Sequence, residues 1–477
     1  MVAVRGILSL SGYVPYRRLD LAEVKAFFGS GGGKGSRAVA SHDEDSTTMA
    51  VEASRLVLRS MPVTPDSLWF ATANAAYLDK NNASAIHAAL QLSPSVGAFD
   101  FGGAQRSGFG AFLAAFAGGG TQLLAVADSR DGLPTSADEA QGGDGASALL
   151  IGEDSPEHRV IAKTLATASL TDEFVERWRT PGERRSRVWE ERFGEQRYTQ
   201  LGKDLMAQLL ERAGISIEQV DHLIVTGLHS RAVKVVGTKA AAGHDILRSE
   251  LAAVIGQTGC AHPLLALADQ LERAKPGERI VLMHLADGAD GIVLEATDAI
   301  KNFKPARSVA AQVANSGTLP YAKFLTWRQM VTVEPPRRPE PQRVSSSAAW
   351  RSEAWKFGFV GSRDRANGQV VLPPSRVSHE TGAVDEMDPV AMAEREGTIV
   401  TFTIDRLAYS PSPPIVFAIV DFDGGGRFPI ELTDVDAEQV AIGARVGMTF
   451  RRLFTSDGIH DYFWKGKLLE ETEAKHG

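Results

Sequence analysis

Chemistry-bearing residues in this 477-residue chain gather around the stretch Phe99–Phe112, FDFGGAQRSGFGAF. An apolar strand end meets a glycine-rich elbow that opens directly into a small-residue helix. Backbone N–H groups and the helix dipole at such a helix mouth favour negative charge, and an acyl-transfer enzyme holds its nucleophile there. The elbow offers Gln105, Arg106 and Ser107, and no cysteine. Arg106 supplies a fixed cation able to pair with a carboxylate or phosphate. Ser107 is either an alternative nucleophile or a helix N-cap, and no histidine is visibly placed to activate it.

Further along, His229 ends the β-rich run DHLIVTG just before a helical pattern, where a pocket residue belongs. Lys234 and Lys239 follow on a helical spacing and either meet phosphates or form a solvated face. In IGQTGCAHPLL, His262 is a second candidate pocket base or a packing residue, and Cys260 reads as a small buried apolar group. The GGDG turn around Asp144 reads as structural, because glycine permits close backbone approach. The glycine cluster GSGGGKGSRA lacks the preceding buried strand that a nucleotide site needs.

The elements that must position these residues alternate between strand and helix up to about residue 330, which implies α/β layers. DSLWFATA, TQLLAVAD, ASALLIGE, DHLIVTG and RIVLMHLAD read as strands; MAVEASRLVLRSM, NASAIHAALQL and LLALADQLERA read as helices. The plan repeats. QLLAVADSRDG followed by GGDGASALLIG matches ERIVLMHLADGADGIVLEAT: a buried strand, a D-G turn and a second apolar strand. The expected boundaries are residues 1–165 and 166–332 for two halves, 333–350 for a proline- and arginine-rich linker, and 351–477 for a last domain. The charged run from Thr171 to Tyr198 is expected to be helical, either a solvated pair or an insertion capping a pocket with Trp178, Trp189 and Phe193 beneath. After the linker, five glycine- or proline-separated strand patterns predict a small all-β barrel.

Composition is that of an ordinary globular protein, 43% hydrophobic and 23% charged. A net charge of −8 and the lack of a basic tract argue against nucleic-acid binding. One cysteine leaves no intrachain disulfide framework and fits a reducing cytoplasm. The first residues do not read as a signal peptide, and no run approaches the ~20 apolar residues of a membrane span.

The elbow, SLWFATANAAYLDKNNASAIHAAL, GGDGASALLIG and IGQTGCAHPLLALADQLERAKPGERI together resemble the thiolase superfamily, in the branch of 3-hydroxy-3-methylglutaryl-CoA synthase and ketoacyl synthase III. The resemblance covers roughly residues 1–330. It implies a duplicated five-layer α-β-α-β-α fold, a coenzyme A thioester as substrate, and a homodimer, possibly associated with a thiolase or another acyl-CoA enzyme. WKFGFVGSRDRANGQVVLPPSRVSHETGAV and the following strands resemble the OB-fold proteins with a zinc ribbon that accompany such enzymes. The family's acylated cysteine aligns with Gln105, its general-acid glutamate with Ala73 between Thr72 and Asn74, its histidine with His229 and its asparagine with Gln257. The four ribbon cysteines align with Asp364, Asn367, Ser378 and Thr381, so no zinc is expected.

An amide forms no thioester and an alanine moves no proton, so the resemblance implies acyl-CoA chemistry without a covalent acyl-cysteine. The expected reaction is aldol or retro-aldol, or a decarboxylation. His229 would stabilise the enolate and His262 or Tyr77 would move the proton. Asn74, Tyr77, Arg106, Ser107, Lys234, Lys239 and Gln257 are candidate binding residues. Two alternatives stand beside it: a degenerate acyl-CoA-binding or scaffold subunit, and a covalent acyltransferase using Cys260 or Ser107.

Overall fold

The structure, a computed structural model, describes residues 4–248 and 250–469. Contacts divide it into two units. The first comprises residues up to Ala40, Asp45–Ser84 and Ser93–Tyr321; the second comprises Ser41–Glu44, Ala85–Leu92 and the chain from Ala322. Among the described residues no helix is long and apolar enough to cross a membrane.

Nine strands form the central sheet of the first unit. In spatial order they are His222–Gly227, Arg279–Leu285, Gly288–Ala296, Ala162–Thr171, Arg5–Tyr13, Gly145–Glu153, Gln122–Asp128, Ser67–Thr72 and Gly97–Gly102. The duplication is written in the pairing. Ser67–Thr72 lies parallel to Gln122–Asp128, which is antiparallel to Gly145–Glu153, itself antiparallel to Arg5–Tyr13. The second half repeats this with His222–Gly227, Arg279–Leu285, Gly288–Ala296 and Ala162–Thr171. The halves join where Gly6 and Ile7 pair with Lys163 and Ala162. A Cβ on Gly6 would lie 2.4 Å from the Ala162 carbonyl oxygen, so only glycine allows the strands to meet there.

Helices cover this sheet by burying their apolar faces. Ser46–Ser60 begins with a capping box, the Asp45 carboxylate accepting from Thr48 N–H and the Thr48 hydroxyl accepting from Asp45 N–H. His262–Leu271 starts with Pro263 in its first turn and touches strands of both halves. Its Leu264, Leu265 and Leu267 are fully buried, each contributing roughly 1.5–3 kcal/mol. The strand Gly97–Gly102, leading into the elbow, is the open outer edge of the sheet, with Phe99 exposed.

The charged run departs from the helical expectation. Residues 171–190 hold a short hairpin, Arg177–Trp178 paired with Arg187–Val188, and the helix begins only at Glu191 and runs to Ala213. Proline and glycine at 181 and 182 place a turn inside the charge pattern that had read as helical.

In the second unit, strands Gly397–Asp405, Ile415–Phe422, Arg427–Leu432, Ile459–Leu468 and Arg445–Ser456 close a barrel in that order. The expected linker is not all coil, since Ser346–Arg351 is helical. The segment Ser41–Glu44, which groups with this unit, contributes to a buried charge network. Arg451, fully buried, meets Glu44 at 2.7 Å, Asp434 at 2.8 Å and Asp43 at 3.4 Å. Lys465 meets Asp43 at 3.0 Å and Glu431 at 2.5 Å. Lys465 beside Asp43 holds that carboxyl far below the usual carboxylate range, against the opposing effect of burial.

The four ribbon positions come together without thiolates. The Thr381 hydroxyl donates to Asp364 Oδ2 at 2.8 Å, Ala366 N–H donates to Asp364 Oδ1 at 2.7 Å, and Thr381 N–H donates to the Ser378 hydroxyl at 3.2 Å. Asn367 turns its amide to Glu380 at 2.8 Å. A structural zinc site needs cysteine or histidine donors, and this set does not fit one. Hydrogen bonds close the loop instead.

Candidate active site

A cavity of about 230 Å³ opens at the elbow, between the two halves of the first unit. From the first half come Ala73, Gly103, Ala104, Gln105 and Arg130. The second half adds Glu176, Trp178, Tyr198, His229 and Asp287.

The elbow forms because Gly103 adopts φ +102°, a left-handed conformation that turns the strand into the helix Arg106–Ala117. Gln105 sits in the right-handed helical region as the N-terminal cap residue. Its amide is oriented by Asp128, at the end of strand Gln122–Asp128. Because a carboxylate only accepts, the Gln105 NH2 must point to Asp128 Oδ2, at 3.3 Å. Gln105 Oε1 therefore faces away, buried, with no hydrogen-bond partner among the described residues.

Asp128 is the hub of this corner. Its fully buried carboxylate also accepts from the Thr72 hydroxyl at 3.0 Å, Ala73 N–H at 2.9 Å and Cys260 N–H at 2.9 Å. Gly259, at φ +62°, makes the last contact possible, since a Cβ there would lie 2.1 Å from Asp128 Oδ2. Sequence reasoning missed Asp128, whose only signal was an acidic residue ending a buried strand.

Arg106 is committed elsewhere. Its guanidinium grips Asp290 at 2.6 and 2.9 Å and also donates to Thr171, the Asp287 carbonyl and the Leu170 carbonyl. The Asp290 hydrogen bond holds its pKa above the ordinary value. It fastens the elbow helix to the second half rather than awaiting an anion. The Ser107 hydroxyl donates to the Gly102 carbonyl at 3.0 Å and lies outside the cavity lining. Cys260 is fully buried with Sγ against the Ala71 and Ala127 carbonyls, and burial pushes its thiol well up. Neither is placed as a nucleophile facing the cavity.

His229 does line the cavity, but both ring nitrogens are engaged. Nδ1 accepts from Ala232 N–H at 3.2 Å, capping the helix Ser230–Ala240, so Nε2 carries the hydrogen that reaches the Glu191 carbonyl at 2.9 Å. It has no free N–H for a thioester oxygen. Its ring packs at the wall against Tyr198.

Two residues from the charged run stand where proton chemistry is possible. Glu176 is 4% exposed, lines the cavity and makes no side-chain hydrogen bond among the described residues. Burial pushes its carboxyl above the usual range, opposed by Arg177 and then His229. The Tyr198 oxygen accepts from Asp287 N–H at 3.3 Å, which leaves its own O–H to donate. Burial, reinforced by Glu176 and Asp287, pushes the phenol up and keeps it protonated. The hairpin that carries Glu176 is tethered over the first half by Arg177 to Asp138 and Arg184 to Asp131, both at 2.9 Å, and by Arg179 to the Ala73 carbonyl. Of its three expected underside aromatics only Trp178 lines the cavity; Trp189 and Phe193 are exposed.

The other expected site residues lie elsewhere. His262 is buried under the helix it begins, with its pKa pushed down to about 3 by burial and then by His284, and it lines a separate void with Gln257. Gln257 donates to the Gly227 carbonyl at 3.0 Å. Asn74 donates to the Ser129 carbonyl, and Tyr77 N–H to Asn82, so both hold a loop outside the cavity lining. Lys234 and Lys239 are exposed on the helix Ser230–Ala240. Asp144 is structural as expected, its carboxylate accepting from Ala40 and Arg130 N–H.

The duplicated sheet, the glycine elbow and the cavity between the halves define a thiolase-like α/β protein with an OB-fold barrel. Among curated proteins it is similar to the hydroxymethylglutaryl-CoA synthase of Archaeoglobus fulgidus, 27% identical over 347 residues, spanning 68% of this chain and 99% of that one. Among solved structures it superposes on a hydroxymethylglutaryl-CoA synthase complexed with CoA at TM-score 0.58, 16% identity and 71% and 95% coverage. The 3-oxoacyl-(acyl carrier protein) synthase III of Pseudomonas aeruginosa gives TM-score 0.53, 21% identity and 62% and 98% coverage. Residues 390–451 match the family model of the ChsH2 C-terminal OB-fold domain. Over 68% of its length the chain is thus similar to a hydroxymethylglutaryl-CoA synthase, it shares the thiolase-like fold of these synthases and of the ketoacyl synthases III, and residues 390–451 match an OB-fold of the ChsH2 type.

Proposed function

We propose that the first unit makes or breaks the carbon–carbon bond beside the carbonyl of an acyl-CoA, in the aldol or retro-aldol sense, without an acyl-enzyme. One observation carries this reading: at the elbow a locked amide takes the nucleophile's place, and a titratable carboxyl and a neutral phenol line the same cavity. A CoA thioester fits the chemistry of relatives named for hydroxymethylglutaryl-CoA synthesis and of a neighbour solved with CoA.

In the cleavage direction the Glu176 carboxylate takes the proton of the substrate's β-hydroxyl. The Cα–Cβ bond breaks, its electron pair forms the thioester enolate, and the β-carbon leaves as a carbonyl compound. The Tyr198 hydroxyl donates to the enolate oxygen, supplying stabilisation where charge develops. Protonated Glu176 returns the proton to Cα, completing the balance. Gln105, its amide held by Asp128, forms the elbow wall of the cavity where the nucleophile would stand. His229 moves from the expected role of stabilising the enolate to that of a wall and helix cap.

The test is a panel of β-hydroxyacyl-CoA thioesters, read by mass spectrometry for shortened acyl-CoA and by an aldehyde trap. Intact-mass measurement after acetyl-CoA exposure should show no retained acyl group. If no thioester in the panel is shortened, or if the chain retains an acyl group, the reading fails.

A further inference from the structure

Arg130 lies two residues beyond Asp128, in the turn that leaves the same strand. It is 8% exposed, lines the cavity, and its guanidinium makes no hydrogen bond or ion pair among the described residues. The backbone beneath it is clamped. Its N–H donates to Asp144 Oδ1 at 2.8 Å, and its carbonyl accepts from the fully buried Arg37 at 2.8 Å.

A buried guanidinium is costly unless an anion faces it. The other arginines that line the cavity have acceptors within the chain: Arg177 pairs with Asp138, and Arg179 donates to the Ala73 and Arg184 carbonyls. Asp128 attracts Arg130 through space, yet both of its oxygens are already occupied by Thr72, Ala73, Cys260 and Gln105. The site holds a cation prepared for a counter-ion that the chain itself does not supply.

We propose that Arg130 is an anion subsite and that the acyl group handled here carries a free carboxylate, which docks on this guanidinium. A guanidinium fork matches a carboxylate in two parallel hydrogen bonds. The other anion of such a ligand, the phosphates of coenzyme A, belongs to a part far larger than a cavity of about 230 Å³, which suits a short acyl group. With the carboxylate held at Arg130 and the thioester oxygen at Tyr198, the acyl group is fixed at both ends. The bond to be broken then has one register against Glu176. This subsite rests on the acyl-CoA reading above, and the test separates the two.

Isothermal titration of the full chain would compare succinyl-CoA and glutaryl-CoA with butyryl-CoA, pentanoyl-CoA and CoA alone. The wild type should bind the carboxylated thioesters roughly ten- to a hundredfold more tightly than the neutral ones. Arg130→Met should abolish that preference, and Arg130→Lys should retain part of it. Equal affinity of the wild type for both classes overturns the subsite, and this comparison needs no variant to fold. A preference that survives in Arg130→Met overturns it too. If Arg130→Met weakens CoA alone as much as the carboxylated thioesters, the anion is a phosphate and the carboxylate assignment falls. If neutral thioesters, carboxylated thioesters and CoA all fail to bind, the acyl-CoA reading itself has failed.

Discussion

Replacing Asp128 gives the sharpest test of how the elbow is held. The carboxylate accepts four hydrogen bonds, from the Thr72 hydroxyl, Ala73 N–H, Cys260 N–H and the Gln105 amide, all inside a fully buried corner. Asp128→Ala strands two backbone N–H groups that water cannot reach, and a buried unsatisfied donor costs about 1–3 kcal/mol. Adding the smaller loss of the neutral hydroxyl and amide bonds, the expected destabilisation is about 3–6 kcal/mol. Asp128→Asn is the more informative change. Its oxygen can still accept from Thr72 and Ala73, but its NH2 would oppose Cys260 N–H and the Gln105 NH2. Gln105 must then flip, turning its donor end to the face where Oε1 now lies. The stability loss should be about 1–3 kcal/mol, and the proposed carbon–carbon bond activity should fall more than stability alone explains. Urea unfolding gives the energies, and hydrogen exchange at Ala73 and Cys260 shows whether the loss is local. If Asp128→Ala shifts the transition by less than about 1 kcal/mol, or leaves both amides protected, the hub assignment is wrong.

Two further perturbations probe buried charge. Arg451→Met leaves Asp43, Glu44 and Asp434 facing one another without their shared cation, so it should destabilise the second unit by about 3–5 kcal/mol in urea unfolding followed by hydrogen exchange of the barrel strands. An unchanged midpoint would refute the network's role. Glu272 has its carboxyl pushed from 4.5 up to about 7 by burial, with the Val309 N–H opposing. Its folded form holds the proton more tightly than the unfolded form, so its contribution is present below about pH 4.5 and is lost as pH rises through about 7. Glu272→Gln should flatten that part of the stability–pH curve, and a curve identical to the wild type's would contradict the assignment.

The fold was legible because its signals are local. The strands QLLAVAD and RIVLMHL are continuous apolar runs, and each turns back through a D-G or GGDG turn. The five barrel strands are each bounded by glycine or proline. The elbow was legible for the same reason. The cavity's chemistry was harder to read. Glu176 and Tyr198 sit in a run so rich in charge that neither stands out, and the turn at residues 181–182 that folds Glu176 over the elbow breaks a pattern that read as helix. Arg106 looked like a free cation because its partner Asp290 is far away in sequence and close only after the halves pack. His229 was found, but the carbonyl and N–H that occupy its ring belong to the first turns of two different helices, a meeting that no spacing reveals. His262 misled because its loop aligns with a pocket loop while its ring turns into the core.

The closure of the ribbon loop by Asp364, Ser378 and Thr381 has a physiological consequence. Zinc-thiolate knuckles tie folding to metal supply and fail when chelators strip the ion or peroxides oxidise the sulfurs. This loop depends on neither. Its one ionisable member, Asp364, has its carboxyl held low by the Ser378 hydroxyl first among several hydrogen bonds, so the closure persists into mild acid. The domain should therefore keep its shape through zinc starvation and oxidative stress, conditions under which a cysteine-bearing equivalent would open.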